Sequence, residues 1–250
     1  MTRWKLSIEY DGGAFCGWQK QDNAPSVQQT LEQAIHAFSS ENVTLHVAGR
    51  TDTGVHARAQ VAHFDLDKET NGKTIRDAVN HYLRPHKITL LNVEQVDESF
   101  HARFSATGRS YKYRIINRRS PLAMYADYAW HVIKELDTDA MQKAADLLIG
   151  HHDFSTFRAS DCQSNSPLKT LDRLHVSRQG DEIIFFVAAR SFLYHQVRNM
   201  VGTLALVGNS NWSLDDFKNA FAACDRTKGG PTAPAQGLCL WDVSYPQIGR

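Results

Sequence analysis

Cysteine is scarce in this chain. Cys16, Cys162, Cys224 and Cys239 stand far apart and form no C-x-x-C pair. Neither a disulfide framework nor a structural zinc site is therefore expected, and reduced thiols in a cytoplasm are the simple reading. Long apolar runs are missing as well. No stretch reaches the length of a signal-peptide core or a membrane span, and Met1-Thr2-Arg3-Trp4-Lys5 leads straight into alternating strand residues. A cytoplasmic protein without membrane contact is the expectation. Charge of one sign is not in excess either: 28 Lys and Arg stand against 27 Asp and Glu, a formal net charge of +1. Overall charge does not announce a nucleic-acid partner, so its distribution must decide. What is present is ordinary for a globular protein, 42% hydrophobic and 22% charged residues. The length allows one large domain or two compact halves, each with its own core.

Hydrophobic periodicity sets the fold expectation. Trp4, Leu6, Ile8 and Tyr10 alternate with polar residues and open the chain on a strand. A loop with three glycines follows, Asp11 to Gln19, whose aromatics Phe15 and Trp18 read as exposed. Ser26 and Gln29 form a capping-box pattern, and Val27, Leu31, Ile35 and Phe38 fall on one helical face. Val43, Leu45 and Val47 predict a strand, Val61 to Leu66 another, Ile75, Val79, Tyr82 and Leu83 a helix, and Ile88 to Val96 a further strand. The order is β-α-β-β-α-β, a ferredoxin-like unit. Phe100, Ala102, Phe104 and Ala106, then Tyr111, Tyr113 and Ile115, predict two more strands. From Tyr128 the pattern repeats. A strand to Val132 precedes a helix capped by Asp137, with Met141, Ala145, Leu148 and Ile149 inward and Gly150 at its end. A hairpin follows around Gln179-Gly180-Asp181, then helices from Leu193 and from Ser213, and a last strand from Leu238 to Tyr245. The expected class is α/β (α+β), with two pseudo-symmetric ferredoxin-like halves, 1–98 and 127–250, joined by basic connecting strands over 99–126. Two such sheets side by side would leave a cleft suited to a ligand.

Two features carry chemistry. The first is the loop 49–57, Gly49-Arg50-Thr51-Asp52-Thr53-Gly54-Val55-His56-Ala57, between two expected strands. It has a glycine at each end and one carboxylate, Asp52, two residues from Arg50. An isolated G-x-x-D-x-G loop is most often a turn in which the aspartate caps the backbone and the arginine points into water. The second is a charge asymmetry. Between Ser99 and Ala126 there is no acid, while Arg103, Arg109, Lys112, Arg114, Arg118 and Arg119 alternate with Phe100, Phe104, Tyr111, Tyr113 and Tyr125. Cations track phosphates and aromatic faces stack on splayed bases, so the stretch suits RNA better than a plain solvated face does. Ile183 to Leu214 also lacks acids and holds Arg190, His195 and Arg198. Strand alternation puts Tyr111, Tyr113 and Ile115 on one face and Lys112 and Arg114 on the other; a core position suits Tyr113.

The sixteen residues GRTDTGVHARAQVAHF, from Gly49 to Phe64, closely resemble the catalytic segment of the TruA family of tRNA pseudouridine synthases. YDGGAFCGWQ resembles that family's N-terminal motif, usually written with Gly-Thr where this chain has Gly12-Gly13. SYKYRI from Ser110 resembles the second motif, SFLYHQVRNMVG from Ser191 the third, and Gly237-Leu238 the last. The matches spread over nearly the whole chain. The resemblance implies isomerisation of uridine to pseudouridine in tRNA, at positions 38 to 40 of the anticodon stem-loop, by two α/β halves sharing a central, largely antiparallel sheet. It implies Asp52 as the catalytic carboxylate, Arg50 beside the target base, Tyr111 packed near that base, Arg198 as a cation paired with Asp52, and Leu238 as an apolar pocket wall. Arg58, Arg109, Lys112, Arg114, Arg118 and His195 are the expected RNA contacts. A homodimer with one tRNA spanning both subunits is implied, and no cofactor or metal is expected.

The rivals are a non-catalytic RNA-binding module, a zinc nucleobase deaminase and a glycoside hydrolase. The first would carry an aromatic run of the form K/R-G-F/Y-G/A-F-V-x-F/Y and the second H-x-E with P-C-x-x-C; neither is present. The third needs a second carboxylate opposite the first, and the matched motifs hold only Asp11, in the glycine-rich loop, besides Asp52. His151-His152-Asp153 suggests a metal site, but adjacent histidines lack ligand spacing and a loop is expected there.

Overall fold

The computed structural model describes residues 1–21 and 24–246. The chain forms two compact units, Met1–Thr107 with Cys239–Arg250, and Gly108–Leu238. The class is mixed α/β and largely antiparallel, as expected. No described helix is long and apolar enough to cross a membrane.

The first unit runs β1 (Thr2–Tyr10), α1 (Val27–Ser39), β2 (His46–Val47), β3 (His56–Leu66), α2 (Gly72–Tyr82) and β4 (Ile88–Gln95). β4 pairs with β1, β1 with β3 and β3 with β2, all antiparallel, which is the expected ferredoxin-like order. Ser26 and Asn71 cap the helices by accepting the Gln29 and Thr74 amides. Cross-strand register sorts the two faces of the sheet. Trp4 lies opposite Phe64, and Leu6 opposite Ala62. They share a core with Leu31, Ile35, Ile75 and Val79 of the helices, all fully buried. On the other face Arg3 meets Asp65, two charge-assisted bonds of 2.8 Å, and Lys5 lies opposite His63. β10 (Leu238–Ser244) adds a short parallel pairing, Cys239 and Leu240 beside His56 and Ala57.

Two expected strands differ. The one through Val43, Leu45 and Val47 shrinks to His46–Val47, because the Leu45 amide donates to the Glu32 carboxylate at 3.0 Å instead of to a neighbouring strand. Phe100 to Ala106 forms turns, not a strand. Side chains take the backbone groups that a ladder would need. His63 Nδ1 accepts the Ala102 amide at 3.1 Å, the Tyr245 hydroxyl donates to the Ala102 carbonyl at 2.7 Å, and Arg3 donates to the Phe100 carbonyl at 3.0 Å.

The second unit contains β5 (Gly108–Asn117), β6 (Trp130–Val132), α3 (Thr138–Asp146), β7 (Gly150–Asp153), β8 (Leu168–Gln179), β9 (Glu182–Ala189), α4 (Gln196–Gly208) and α5 (Leu214–Ala222). β5, β9, β8 and β7 pair antiparallel in that order, and β6 lies parallel to β5. Gly180, at φ +58°, supplies the positive φ that a two-residue hairpin turn requires between β8 and β9. His151-His152-Asp153 lies in strand β7 rather than in a loop, paired with Leu168 to Thr170. α3 ends at Asp146, earlier than Gly150, and leaves Ile149 38% exposed.

Candidate active site

The loop from residue 48 to 55 joins β2 to β3. Its turn is made by the Val55 amide donating to the Asp52 carbonyl at 3.1 Å, with Gly54 at φ +77°. Gly49, at the other end, has open space where a Cβ would stand, so only one of the two glycines meets a conformational need. The loop is held from below. The Thr51 hydroxyl lies 2.7 Å from the Tyr10 hydroxyl, the Thr51 carbonyl accepts the Trp18 amide at 3.0 Å, and Gln60 Nε2 donates to the Gly49 carbonyl at 2.8 Å. Burial pushes the Tyr10 phenol far up, so it stays protonated as a fixed hydrogen-bonding post.

The N-terminal motif is the loop's cradle. A Cβ on Gly12 would run into the Val55 carbonyl. Gly17 has φ +100°, and a Cβ there would stand 2.7 Å from the Thr51 carbonyl oxygen. The Gly12 amide donates to His56 Nδ1 at 3.1 Å. Phe15 and Trp18, expected to be exposed, are buried, and Trp18 packs against Tyr10 with ring centroids 6.1 Å apart. At Gly13, where the chain departs from the motif, a Cβ would stand 3.2 Å from Asp11 Oδ1, the oxygen that accepts the Gly13 amide. What results is a half-buried Asp52 carried on a clamped backbone, with Arg50 and Thr53 exposed on either side. Arg58 is exposed, its guanidinium 4.2 Å from the centroid of the Trp241 ring.

The remaining candidates stand on the second unit. Tyr111 is half-buried and meets Phe192 edge-on at 5.2 Å. Tyr113 is fully buried, as its core reading anticipated, and its hydroxyl donates to the Pro234 carbonyl at 2.7 Å. Lys112 projects from the opposite face of β5 and is half-buried. Arg109 is 9% exposed and donates to the Arg190 carbonyl at 2.7 Å. Arg114 pairs with Glu182 and lies 5.3 Å from the Tyr125 ring centroid; Arg118 pairs with Asp181 at 3.5 Å. The acid-free run thus receives two carboxylates from the β8–β9 turn, a neutralisation that only strand pairing brings about.

The third motif also reads differently in three dimensions. His195 precedes α4 instead of lying within it. It has a left-handed backbone at φ +60° and a ring stacked on Tyr194 at 3.9 Å. Arg198 is half-buried and its Nε donates to the Ala233 carbonyl at 2.8 Å. Asn199 is only 1% exposed. Its Oδ1 accepts from Thr232 at 2.6 Å and from Arg226 at 3.2 Å, and its Nδ2 donates to the Phe157 carbonyl at 2.9 Å. A Cβ on Gly202 would enter the Pro231 carbonyl. Arg198, Asn199 and Gly202 of this motif therefore anchor the segment 226–234. Arg226, Thr203 and Thr232, which complete that anchorage, were not singled out by sequence; the Gly229-Gly230-Pro231 run beside them was the available signal. Leu238 is buried. Among the described residues no group of three or more His, Cys, Asp or Glu is arranged to hold a metal ion. His151, His152 and Asp153 each have another partner: the Thr170 hydroxyl, the Ile149 carbonyl and the Ser155 amide.

Comparison with known proteins agrees with the motifs. A family model described as tRNA pseudouridine synthase matches residues 6–105 and 144–246. The protein named tRNA pseudouridine synthase A in Paramagnetospirillum magneticum is 57% identical over 249 residues, covering 100% of this chain and 97% of that one. Its namesake in Rhodospirillum centenum is 56% identical over 245 residues, covering 98% and 100%. In Xanthobacter autotrophicus the protein of that name is 56% identical over 245 residues, again covering 98% and 100%.

Proposed function

Because the chain belongs to the tRNA pseudouridine synthase family, we infer that it isomerises uridine to pseudouridine in tRNA, with Asp52 as the reacting carboxylate. The reaction breaks the bond between ribose C1′ and uracil N1 and joins the same C1′ to C5. C5 gives up a proton and N1 gains one; nothing is oxidised and no group is imported. An ionised carboxylate can hold the covalent intermediate while the base turns, as carboxylates do in retaining glycosidases.

The observation that carries this reading is the half-buried Asp52 on a loop whose backbone is fixed by Tyr10, Gly12, Gly17 and Trp18. Such a loop presents its carboxylate without needing to reorganise during the reaction. The target base must leave its stack, at a cost on the order of a few kcal/mol, and the exposed Arg50 is suited to fill the vacated space. Tyr111 is assigned to the face of the uracil, Leu238 to an apolar wall and Arg198 to the cation that steadies Asp52. These roles rest on the motifs that carry the three residues. Arg58, Lys112, Arg114, Arg118 and His195 are assigned to the RNA backbone, while the buried Arg109 acts by holding the Arg190 segment. Uridines 38 to 40 of the anticodon stem-loop, a homodimer spanned by one tRNA and a cytoplasmic location complete the proposal.

Asp52→Asn tests it. The substitution keeps size and shape and supports the same turn. Melting temperature and tRNA affinity should stay near wild type while single-turnover conversion of uridine falls by roughly a thousandfold or more, since a neutral amide is a very poor nucleophile. A folded, RNA-binding variant that turns over normally would sink the mechanism.

A further inference from the structure

We propose that the turn His101–Ser105 is a second RNA-contacting site, on which Phe104 stacks against an unpaired nucleobase and Arg103 meets the adjoining phosphate. The proposal rests on tRNA being the substrate and adds a contact away from the target uridine. Phe104 is 73% exposed, the most exposed aromatic residue described. An apolar ring left in water on a flexible loop would be unremarkable, but this turn is fixed. The Ser105 amide donates to the His101 carbonyl at 2.9 Å, and the His101 amide donates to the Ser105 hydroxyl at 2.9 Å. Ala102 is anchored at both its amide and its carbonyl, through His63 and Tyr245.

The ring is also supported from behind. Phe104 lies 4.4 Å from His101, His101 lies 4.7 Å from His63, and His63 stacks on His46 at 5.0 Å. A preset aromatic surface binds with little ordering cost, and base stacking on such surfaces is tolerant of sequence. The charge favours nucleic acid over protein. The Arg103 guanidinium carbon lies 5.8 Å from the Phe104 ring centroid, and no carboxylate occurs from Ser99 to Ala126. His63 is seven residues along β3 from His56, roughly 23 Å at about 3.3 Å per residue. The stacked base is therefore a different nucleotide from the one delivered to Asp52.

Phe104→Ala, Phe104→Trp and Arg103→Ala, measured with full-length tRNA transcript, test the assignment. Phe104→Ala should weaken affinity roughly tenfold, within the range for losing one stacked base, while its salt slope and its conversion rate at saturating tRNA stay unchanged. Arg103→Ala should flatten the salt slope by about one unit. Phe104→Trp should keep its affinity and gain a component of tryptophan fluorescence that tRNA quenches. Wild-type affinity in Phe104→Ala, or no added quenching in Phe104→Trp, would overturn the proposal and leave the isomerase reading intact. So would a shift of Phe104→Ala to a smaller species in sedimentation, which would make Phe104 a contact between protein copies. Wild-type protein that binds tRNA without converting uridine would refute the proposed function instead, and the stacking result would stand apart from it.

Discussion

Two irregular segments, 48–55 on the first unit and 226–234 on the second, are both held tightly, but they spend their side chains differently. In the 226–234 segment, backbone bonds at Gly230, Ala233 and Pro234 are joined by the side chains of Arg226 and Thr232, which bond Asn199 and each other. The 48–55 loop is held mostly through its backbone, by the Trp18 amide, by Gln60 and by the missing side chains of Gly12 and Gly17. The Thr51 side chain joins that support, and Val55 is buried. Arg50 and Thr53 are exposed, and Asp52 is half-buried. A loop seated by its backbone keeps its side chains for chemistry; one anchored by its side chains has already used them.

The largest effect should come from removing the backbone seat. Gly17→Ala places a methyl against the Thr51 carbonyl at a positive φ. It should slow single-turnover conversion by roughly a hundredfold through displacement of Asp52, with a lower melting temperature. If Gly17→Ala melts early yet converts at the wild-type rate, the seat matters for stability alone. Asn199→Ala, by contrast, should be chiefly a stability variant. It takes one hydrogen-bond partner each from Arg226, Thr232 and the Phe157 carbonyl at a cost of about 3 kcal/mol, read as a fall in the urea midpoint. A loss of turnover as deep as that of Gly17→Ala would erase the contrast between the two segments.

Acid should act on a third anchorage, the His63 ring of the first unit that accepts the Ala102 amide. Burial, then the neighbouring charges of His101, His46 and Arg3, hold His63 down at about 4. Its folded value lies below the ordinary 6.5, so the unfolded chain binds the extra proton first. Stability should be complete above pH 6.5, fall as pH drops towards 4 and level off below, by up to roughly 3 kcal/mol. Urea melts of wild type and His63→Gln across that window check it. Equal pH slopes in the two proteins would assign the titration elsewhere. The smallest effect is expected at Arg114, whose charge already faces Glu182. Arg114→Ala should weaken tRNA binding by only about twofold, less than Arg58→Ala, when both are titrated over a range of salt.

These contrasts also mark where sequence reading succeeded. The helix faces, the hairpin at Gly180 and the first β-α-β-β-α-β unit follow from periodicity and caps, which act within a few residues. The Asp52 loop is legible because a long motif surrounds it. Phe15 and Trp18 read as exposed because glycine-rich loops usually lie in solvent, whereas here the loop folds under Thr51. Phe100, Ala102, Phe104 and Ala106 alternate like a strand, yet His63, distant in sequence, takes the amide that a strand would offer. The start of α4 was placed too early because Leu193 keeps the apolar period, although His195 turns left-handed after it. The acid-free run looked more basic than it is because Asp181 and Glu182 arrive only through the pairing of β5 with β9.

The seat of the Asp52 loop has a consequence for the order of synthesis. Tyr10, Gly12, Gly17 and Trp18 all leave the ribosome before the loop does, and Gln60 and Val61, which hold Gly49 and Ala48, follow within a dozen residues. Each of these holds therefore closes within residues 10 to 61. Such local contacts form early as a chain emerges. The seat of the loop is thus made while three-quarters of the protein is still untranslated, well before Arg198, the cation assigned to Asp52.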